Sequence, residues 1–456
     1  MILTKDRSFY KSLVSLSLPI ALERLITFLI TLTDSIMIGS LGDEAVSGVY
    51  VGGLIGTLLV MLVSGIESGI TVGASQNFGK KNLDAVRHTV GIGTILILAV
   101  GAAVTIISIA LPDKIVSLFA KGRGAALASE YLRVLAISFP LLCATGAMSA
   151  AMRSIESPKA GTLASLIALI VNLIFDYLLI FGKLGFAKMG IKGAAIATII
   201  ARAAELATML IYVLFIDKKL SLTPKALIKT DKSTALLFIK YTAPLVGGQL
   251  VWIFNTLLST YLIGKSGDSA AMAGFSVASV LNSLSYIVMN GLSGAVGIII
   301  GKTVGEGKLG KIREYSYTTQ IIFIVLGIMT AIALQAVKGP FVSLYGISEE
   351  AASVAISLIN VLSLTIIGTS YQSACLIGLV KSGGDVSFIL KNDAFFIFLV
   401  VVPLSILAFR LDAPLWLLFL TLKSDQLLKC LPAAIKINRF RWVKDLTDNQ
   451  SNLNEK

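Results

Sequence analysis

Two carboxylic acids within apolar stretches of this sequence are the residues best suited to do chemistry. Asn172 and Asp176 are four positions apart, so a helix places both on one face. A carboxylate with an amide oxygen one turn away, joined by a hydroxyl such as Thr198, supplies the oxygen ligands that a hard cation prefers. Asp34, in a separate apolar stretch, is the other natural member of this pocket. The same oxygens can instead share a proton, because burial and a neighbouring carboxylate both favour the protonated acid. These residues therefore predict a site for a hard cation or for a proton.

Further charged residues lie in the first-half apolar stretches, where an ionisable group costs about 2.5 to 3.5 kcal/mol near the centre of a membrane span. They are Glu23, Arg24, Glu67, Arg202 and Glu205. One interpretation is that they neutralise one another, with Glu23 or Glu67 paired to Arg24. Arg202 and Glu205 pair across i, i+3 in the same interpretation. The other interpretation is a charge network that serves an unusual solute.

The second half has few such charges. Asp393 and Asp425 lie nearer the ends of their apolar stretches, so we expect deep carboxylates in the first half only. Uncharged polar residues are present instead: Gln249, Asn255, Asn282, Tyr286 and Tyr371. They either line a cavity for an amphipathic substrate or pack helices together.

The composition indicates that membrane helices position all these residues. Of 456 residues, 55% are hydrophobic and only 14% are charged, against about 25% charged in soluble domains. This composition excludes a soluble globular enzyme. Apolar runs of about 20 residues or more each predict a transmembrane helix. The twelve predicted spans are 14–38, 48–75, 89–111, 130–152, 161–181, 190–216, 240–264, 273–300, 315–337, 350–379, 388–409 and 413–434.

The two halves of the sequence resemble each other at a spacing of about 225 residues, as in Pro19 with Pro244 and Gly39 with Gly264. Six spans in each half give the repeats the same orientation, so the sequence predicts an all-α membrane protein of two six-helix bundles. A pseudo-twofold axis along the membrane normal relates them. The predicted domains are an N-terminal lobe (1–216), a basic cytoplasmic linker (217–239), a C-terminal lobe (240–434) and a cytoplasmic tail (435–456).

The net charge of +13 arises from Lys and Arg concentrated in the connections on the side of the termini. By the positive-inside rule both termini are cytoplasmic, and the charge needs no nucleic acid as a partner. The three cysteines lie in apolar segments and predict no disulfide framework.

Enzyme motifs are missing from the sequence. His88 is the only histidine, so neither a zinc site of the H-E-x-x-H type nor a Ser-His relay is available. Gly301-Lys302-Thr303 resembles the end of a phosphate loop, but Val296 stands where the first glycine is needed. We therefore expect a protein that is not an enzyme and needs no cofactor, with a simple channel as an alternative to a transporter.

The chain resembles the multidrug and toxic compound extrusion (MATE) transporters, in the superfamily that also contains lipid-linked oligosaccharide flippases. The resemblance extends from Pro19 to about Ala408. The residues on which the resemblance rests are Pro19, the stretch from Asp34 to Gly42, the loop from Gly73 to Gly79, Arg153, the stretch from Asn172 to Gly182, and the stretch from Gly190 to Thr198.

The resemblance implies a twelve-helix antiporter of the cell membrane that exports organic, often cationic, compounds in exchange for inward Na+ or H+ by alternating access. In similar transporters an Asp of helix 1 with an Asn and an Asp of helix 5 forms the coupling site, which here implies Asp34, Asn172 and Asp176. Thr198 corresponds to a hydroxyl of helix 6, and Pro19 to a proline associated with bending of helix 1.

The resemblance also implies which partners the protein has and which other function is the nearest alternative. A small organic substrate and the lipid bilayer are the expected partners of a monomer. Certain relatives place a coupling carboxylate in helix 7 or 10, where this chain has Gln249 and Tyr371. The alternative is a flippase for an anionic lipid-linked sugar, which Arg24 and Arg202 would favour.

Overall fold

Helices make up nearly all of the regular structure. A computed structural model describes residues 3–118, 123–220, 232–266 and 269–446. Within those residues eleven helices are long and apolar enough to cross a membrane. We label them α1 (Arg7–Gly39), α2 (Ala45–Gly79), α3 (Leu83–Ala110), α4 (Ala125–Ser154), α5 (Lys159–Phe181), α6 (Ile191–Ile216), α7 (Lys232–Lys265), α8 (Ala270–Gly305), α9 (Leu309–Ser343), α10 (Glu349–Val380) and α11 (Val386–Arg410). A short helix, Pro112–Val116, follows α3.

The twelfth predicted span is helical but interrupted. It forms three short helices, Leu415–Leu422, Asp425–Leu428 and Cys430–Asn438, which we call α12 together. Pro432 explains the second interruption, because proline has no N–H for the carbonyl of Leu428 and its ring collides with that carbonyl. The predicted all-α membrane fold is confirmed, with eleven long helices in the described residues and one segment divided into short helices.

Local sequence signals explain several helix ends. Asn82 caps α3 by accepting a hydrogen bond from the backbone N–H of Ala85 at 3.0 Å. Ser348 caps α10 in the same way at the N–H of Ala351. At the end of α5, Gly182 adopts a left-handed conformation (φ 68°) that a residue with a Cβ rarely adopts.

The described chain divides into two compact units. The C-terminal unit contains the chain up to Ala21 together with residues from Gly247 onward, and the N-terminal unit runs from Leu22 to Val246. Two helices are therefore shared, since α1 is divided at Ala21/Leu22 and α7 at Val246/Gly247. Each division follows a helix proline by two residues, and an internal proline removes a backbone hydrogen bond.

Compared with the predicted lobes 1–216 and 240–434, the first part of α1 belongs to the C-terminal unit and the first part of α7 belongs to the N-terminal unit. The sequence boundaries follow the repeat and stay a prediction about it. Residues 221–231 of the predicted linker and 447–456 of the predicted tail lie outside the described residues.

Packing within each unit shows why the exchanged segments belong where they are. In the C-terminal unit, Phe9 and Leu16 of α1 are buried in one apolar cluster with Val296 of α8 and Cys375 of α10. In the N-terminal unit, a Cβ added at Gly65 of α2 would lie 2.9 Å from the Cα of Val246 in α7. Gly65 therefore permits close packing of α2 against α7.

Candidate ion-coupling site

Asp34, Asn172 and Asp176 come together inside the N-terminal unit. Asn172 and Asp176 lie on the buried face of α5, and each has a relative exposure of 0%. Asp34 is half-buried on α1, and its carboxyl faces the carboxyl of Asp176 and the amide of Asn172. The i, i+4 spacing on α5 thus brings both side chains to the same point on α1, as the sequence predicts.

The polar atoms of this site converge without completing hydrogen bonds to one another. Among the described residues, both carboxylate oxygens of Asp176, both amide atoms of Asn172 and Oδ1 of Asp34 are buried and have no well-formed partner. A buried polar atom without a partner is costly, and native proteins satisfy most such atoms. Converging carboxylate and amide oxygens of this kind are chemically suited to hold a hard cation or a proton.

Tyr131 is a member of this neighbourhood that sequence reasoning missed. It lies in α4 with a relative exposure of 6% and faces both Asp34 and Asp176. Gly52 of α2 makes room for it, because a Cβ there would lie 2.9 Å from the Tyr131 ring. No spacing rule in the sequence links a tyrosine of α4 to carboxylates of α1 and α5.

Thr198 has a different immediate partner from the one that the sequence suggests. Its hydroxyl donates to the carbonyl of Ala194, one turn earlier in α6, at 3.0 Å. That bond leaves the lone pairs of the oxygen available, and the role of Thr198 as an ion ligand stays a prediction.

A second group of charges forms a cluster in the same unit. Arg153 of α4 bridges Glu23 of α1 at 3.1 Å and Glu67 of α2 at 3.3 Å. The predicted pairing of Glu23 or Glu67 with Arg24 is therefore wrong. Arg24 directly follows Glu23, so its side chain leaves the helix in another direction, and it is exposed.

The pairing predicted within α6 is confirmed, since Arg202 contacts Glu205 at 2.7 Å. The hydroxyl of Ser165 in α5 donates to the other oxygen of Glu205 at 3.3 Å. Arg202 also faces Asp34 closely enough to act on its charge. One arginine thus connects the charge cluster with the candidate coupling site.

Glycines give the carboxylates of this cluster their space. A Cβ at Gly161 of α5 would lie 2.6 Å from Oε2 of Glu23, and one at Gly146 of α4 would overlap Oε1 of Glu67. The charged groups surround a cavity of about 100 Å³, lined by Glu23, Arg24, Glu67, Arg153, Arg202 and Glu205 among others. Acids and bases are equal in number there, so the lining has no excess of positive charge.

The polar residues predicted to line a substrate cavity lie at separate places in the C-terminal unit. The hydroxyl of Tyr371 donates to the side chain of Gln320 at 2.7 Å, and Tyr286 lies beside Thr369 and Asp425. Asn255 is buried with an unpartnered Oδ1, while Gln249 and Asn282 are half-buried. Their role in substrate binding stays a prediction.

The expectation of deep carboxylates in the first half alone is wrong. Asp393 of α11 and Asp425 of α12 are both buried in the C-terminal unit, on either side of Lys429. Carboxylates counted along each span alone do not reveal their partner, whereas in this fold Lys429 of α12 supplies an ammonium both to Asp425 of the same segment and to Asp393 of α11.

Comparisons with known proteins agree with the repeat and the fold. The MatE family model matches residues 19–178 and again 244–407, which together make up more than half of the chain. The chain is 26% identical over 325 residues to a "Probable multidrug resistance protein NorM" of Thermotoga maritima, covering 70% of this chain and 69% of that protein. It is also 26% identical over 396 residues to "Uncharacterized transporter YisQ" of Bacillus subtilis, covering 84% and 83%.

Solved structures share the fold at low identity. A crystal structure of MATE in complex with MaL6 has a TM-score of 0.85 at 19% identity, covering 94% of this chain and 96% of that one. A MOP superfamily transporter from Pyrococcus furiosus gives 0.84 at 19%, covering 96% and 99%. The chain is a multi-pass membrane protein and belongs to the MatE family, the multidrug and toxic compound extrusion family that its sequence resembles.

Proposed function

We propose that this protein is a secondary active antiporter that exports organic, often cationic, compounds in exchange for inward Na+ or H+ by alternating access. The observation that carries the proposal is the convergence of Asp34, Asn172 and Asp176 without completed hydrogen bonds. Family membership and the multidrug resistance names of relatives support export of organic compounds.

Coupling requires that the ion bind one transport state more tightly than the other, because tight binding alone shifts no equilibrium. The site is suited to this because its two carboxylates lie on different helices, Asp34 on α1 and Asp176 on α5. Bending of α1 near Pro19 would change the distance between the carboxylates and hence the affinity for the ion. The ion and the substrate would in this way favour different states.

The remaining features of the proposal follow from the sequence. Both termini lie on the cytoplasmic side of the cell membrane, the protein acts as a monomer, and the bilayer is its only lasting partner. It catalyses no covalent reaction and needs no cofactor beyond the coupling ion. Thr198 completes the ligand set if the ion is Na+, since carboxylate, amide and hydroxyl oxygens suit a hard cation.

The alternative of an anionic-lipid flippase finds no matching feature in the N-terminal unit. Its best evidence in the sequence was Arg24 and Arg202, which would attract a pyrophosphate. Arg202 is occupied by Glu205, and the cavity beside it has as many acids as bases. The cavity therefore lacks the excess positive charge that an anionic lipid-linked sugar would require.

Flux of the fluorescent cation ethidium in proteoliposomes tests the proposal. A Na+ gradient and a pH gradient are applied separately, and the gradient that drives flux identifies the coupling ion. D34N is expected to reduce driven flux to that of empty liposomes. D113N is the matched control, since Asp113 is an exposed carboxylate outside the site, 3.9 Å from Arg133. Undiminished flux by D34N would contradict the assigned site.

A further inference from the structure

A buried group of three charged side chains lies in the C-terminal unit, outside the site described above. The ammonium of Lys429 is 2.8 Å from Oδ1 of Asp393 and 3.0 Å from Oδ2 of Asp425. The side chains of Lys429 and Asp425 are each 1% exposed, and that of Asp393 is 9% exposed. We call these residues the Lys429 triad.

The backbone around the triad is built to hold it. Asp425 and Lys429 lie where α12 is broken into short helices. The side-chain amide of Gln372 in α10 donates to the carbonyls of Asp425 at 2.9 Å and Gln426 at 2.6 Å. Gly368 permits this approach, because a Cβ there would overlap the carbonyl oxygen of Gln426. A helix that breaks inside a membrane needs such partners for its freed carbonyls.

Apolar residues border the triad on both of its helices. Leu418 and Leu422 precede Asp425 in α12, and both are fully buried. Ile397 and Val401 follow Asp393 in α11, where the helix becomes π-helical over Ile397–Val401. Single π-helical turns in α-helices occur frequently at functional sites.

The charges of the triad do not balance. Two carboxylates contact one ammonium, so these three side chains have one excess negative charge when all are ionised, while Lys423 acts on Asp425 without forming an ion pair with it. The hydrogen bonds show the same imbalance, because Oδ2 of Asp425 accepts from Lys429 and Gln426 whereas the buried Oδ1 has no partner in the described residues. Uptake of one proton would remove the net charge from this apolar interior.

We propose that the Lys429 triad is a second proton-binding site, at which Asp393 and Asp425 share one exchangeable proton. The proposal rests on the proposed function insofar as this proton moves with the transport cycle. The proton belongs to the pair of carboxylates as a coupled system. The other titratable groups that face Asp425 are Tyr286 of α8 and Lys423 and Cys430 of α12. Lys423 makes no ion pair within the described residues, and its ammonium lies 5.7 Å from the centre of the Phe419 ring.

Infrared difference spectra of the full-length protein in detergent test the proposal without a substrate. A pH step from 8 to 5 should produce the carbonyl band of a protonated carboxylic acid from the triad. D425N and D393N should each lose this band, because either variant leaves one carboxylate balanced by Lys429. D34N should keep the triad band and lose a different one. K429M should move the midpoint of the triad band to higher pH, since an ammonium near a carboxylate opposes its protonation.

Two results would overturn the proposal. One is a pH-difference spectrum that is identical in the wild type and in both folded asparagine variants. The other is a spectral change in the triad that follows Na+ concentration at constant pH. If D425N fails to fold, D393N and K429M carry the test, with circular dichroism to confirm helix content. Failure of the proposed function would appear elsewhere, as undiminished ethidium flux by D34N, and would leave the infrared result intact.

Discussion

The two buried carboxylate pairs of this protein differ in where their positive charge comes from. Asp34 and Asp176 in the N-terminal unit face each other and an amide, and within the described residues no lysine or arginine forms an ion pair with either. Asp393 and Asp425 in the C-terminal unit bracket the ammonium of Lys429. The first pair has no tethered cation among the described residues, whereas the second has the ammonium of Lys429 and one remaining charge.

The ammonium of Lys429 is covalently tethered and links α12 to α11 through its ion pair with Asp393. Under the proposed function, the pair of Asp34 and Asp176 instead binds an ion that exchanges with solution. Variants at the two places should therefore differ in their effects on stability and on transport.

Removing Lys429 should have the largest effect on stability. K429M leaves two buried carboxylates without their ammonium, and breaking a buried ion pair from one side costs about 3 to 5 kcal/mol. The loss should be greater at pH 8 than at pH 5, because protonation of the carboxylates relieves the repulsion. Thermal unfolding in detergent at both pH values measures it. K391M, which removes an exposed lysine of α11, is the matched control, and an equal loss in the control would refute the role of the triad.

Removing Arg153 should destabilise the N-terminal unit by about 2 to 3 kcal/mol, less than a fully buried pair because its partners are partly exposed. R153M leaves the carboxylates of Glu23 and Glu67 without their cationic partner, since their ion pairs with Arg153 are 3.1 and 3.3 Å long. The triple variant E23Q/E67Q/R153M should recover most of the loss. Thermal unfolding measures both, and a triple variant no more stable than R153M would show that packing of the arginine dominates.

D34N should change stability by no more than about 1 kcal/mol, and the change should be a gain. The substitution removes a buried charge from a site whose oxygens lack partners, so it relieves repulsion with Asp176. The same substitution should abolish driven ethidium flux. Loss of flux together with a marked loss of stability would instead indicate that Asp34 is a structural residue.

The smallest effect is expected at an ion pair outside the membrane spans. The hydrogen bonds of Asp6 with Lys311, Ser8 and Tyr315 hold the pKa of its carboxyl well below the usual range. A carboxyl with a lowered pKa stabilises the fold above its unfolded-state pKa, and the contribution is lost as pH falls through the folded value. D6N should therefore slightly lower the unfolding temperature at pH 7, and this effect should shrink as pH falls below the unfolded-state pKa of the carboxyl. A larger effect at low pH would contradict the ion pair.

Several parts of the site follow from spacing within one helix. The four-residue spacing of Asn172 and Asp176 places both on the buried face of α5, and the three-residue spacing of Arg202 and Glu205 produces their ion pair. Asp425 and Lys429 have the i, i+4 spacing of Asn172 and Asp176, so the ion pair between Asp425 and Lys429 was also predictable from the sequence. Helical periodicity is a local property, which is why these contacts are predictable.

Contacts between helices were not predictable in the same way. Arg153 replaces Arg24 as the partner of Glu23, Tyr131 joins the carboxylates of α1 and α5, and Asp393 meets Lys429 across two helices. Each depends on how neighbouring helices are rotated and how closely they approach. Glycines such as Gly52, Gly161 and Gly368 decide that approach. Their effect is visible only once the opposing side chain is known.

The amino-acid sequence by itself determined that this chain is a repeated, multi-pass helical membrane protein, because apolar runs, glycines and prolines act locally. It also determined the helix faces that present Asp34 and Asp176. Only the tertiary structure decided which charges balance one another and which compact unit contains the first parts of α1 and α7. Those outcomes depend on side-chain packing between residues far apart in sequence, and a buried charge is tolerated only where that packing supplies its partner.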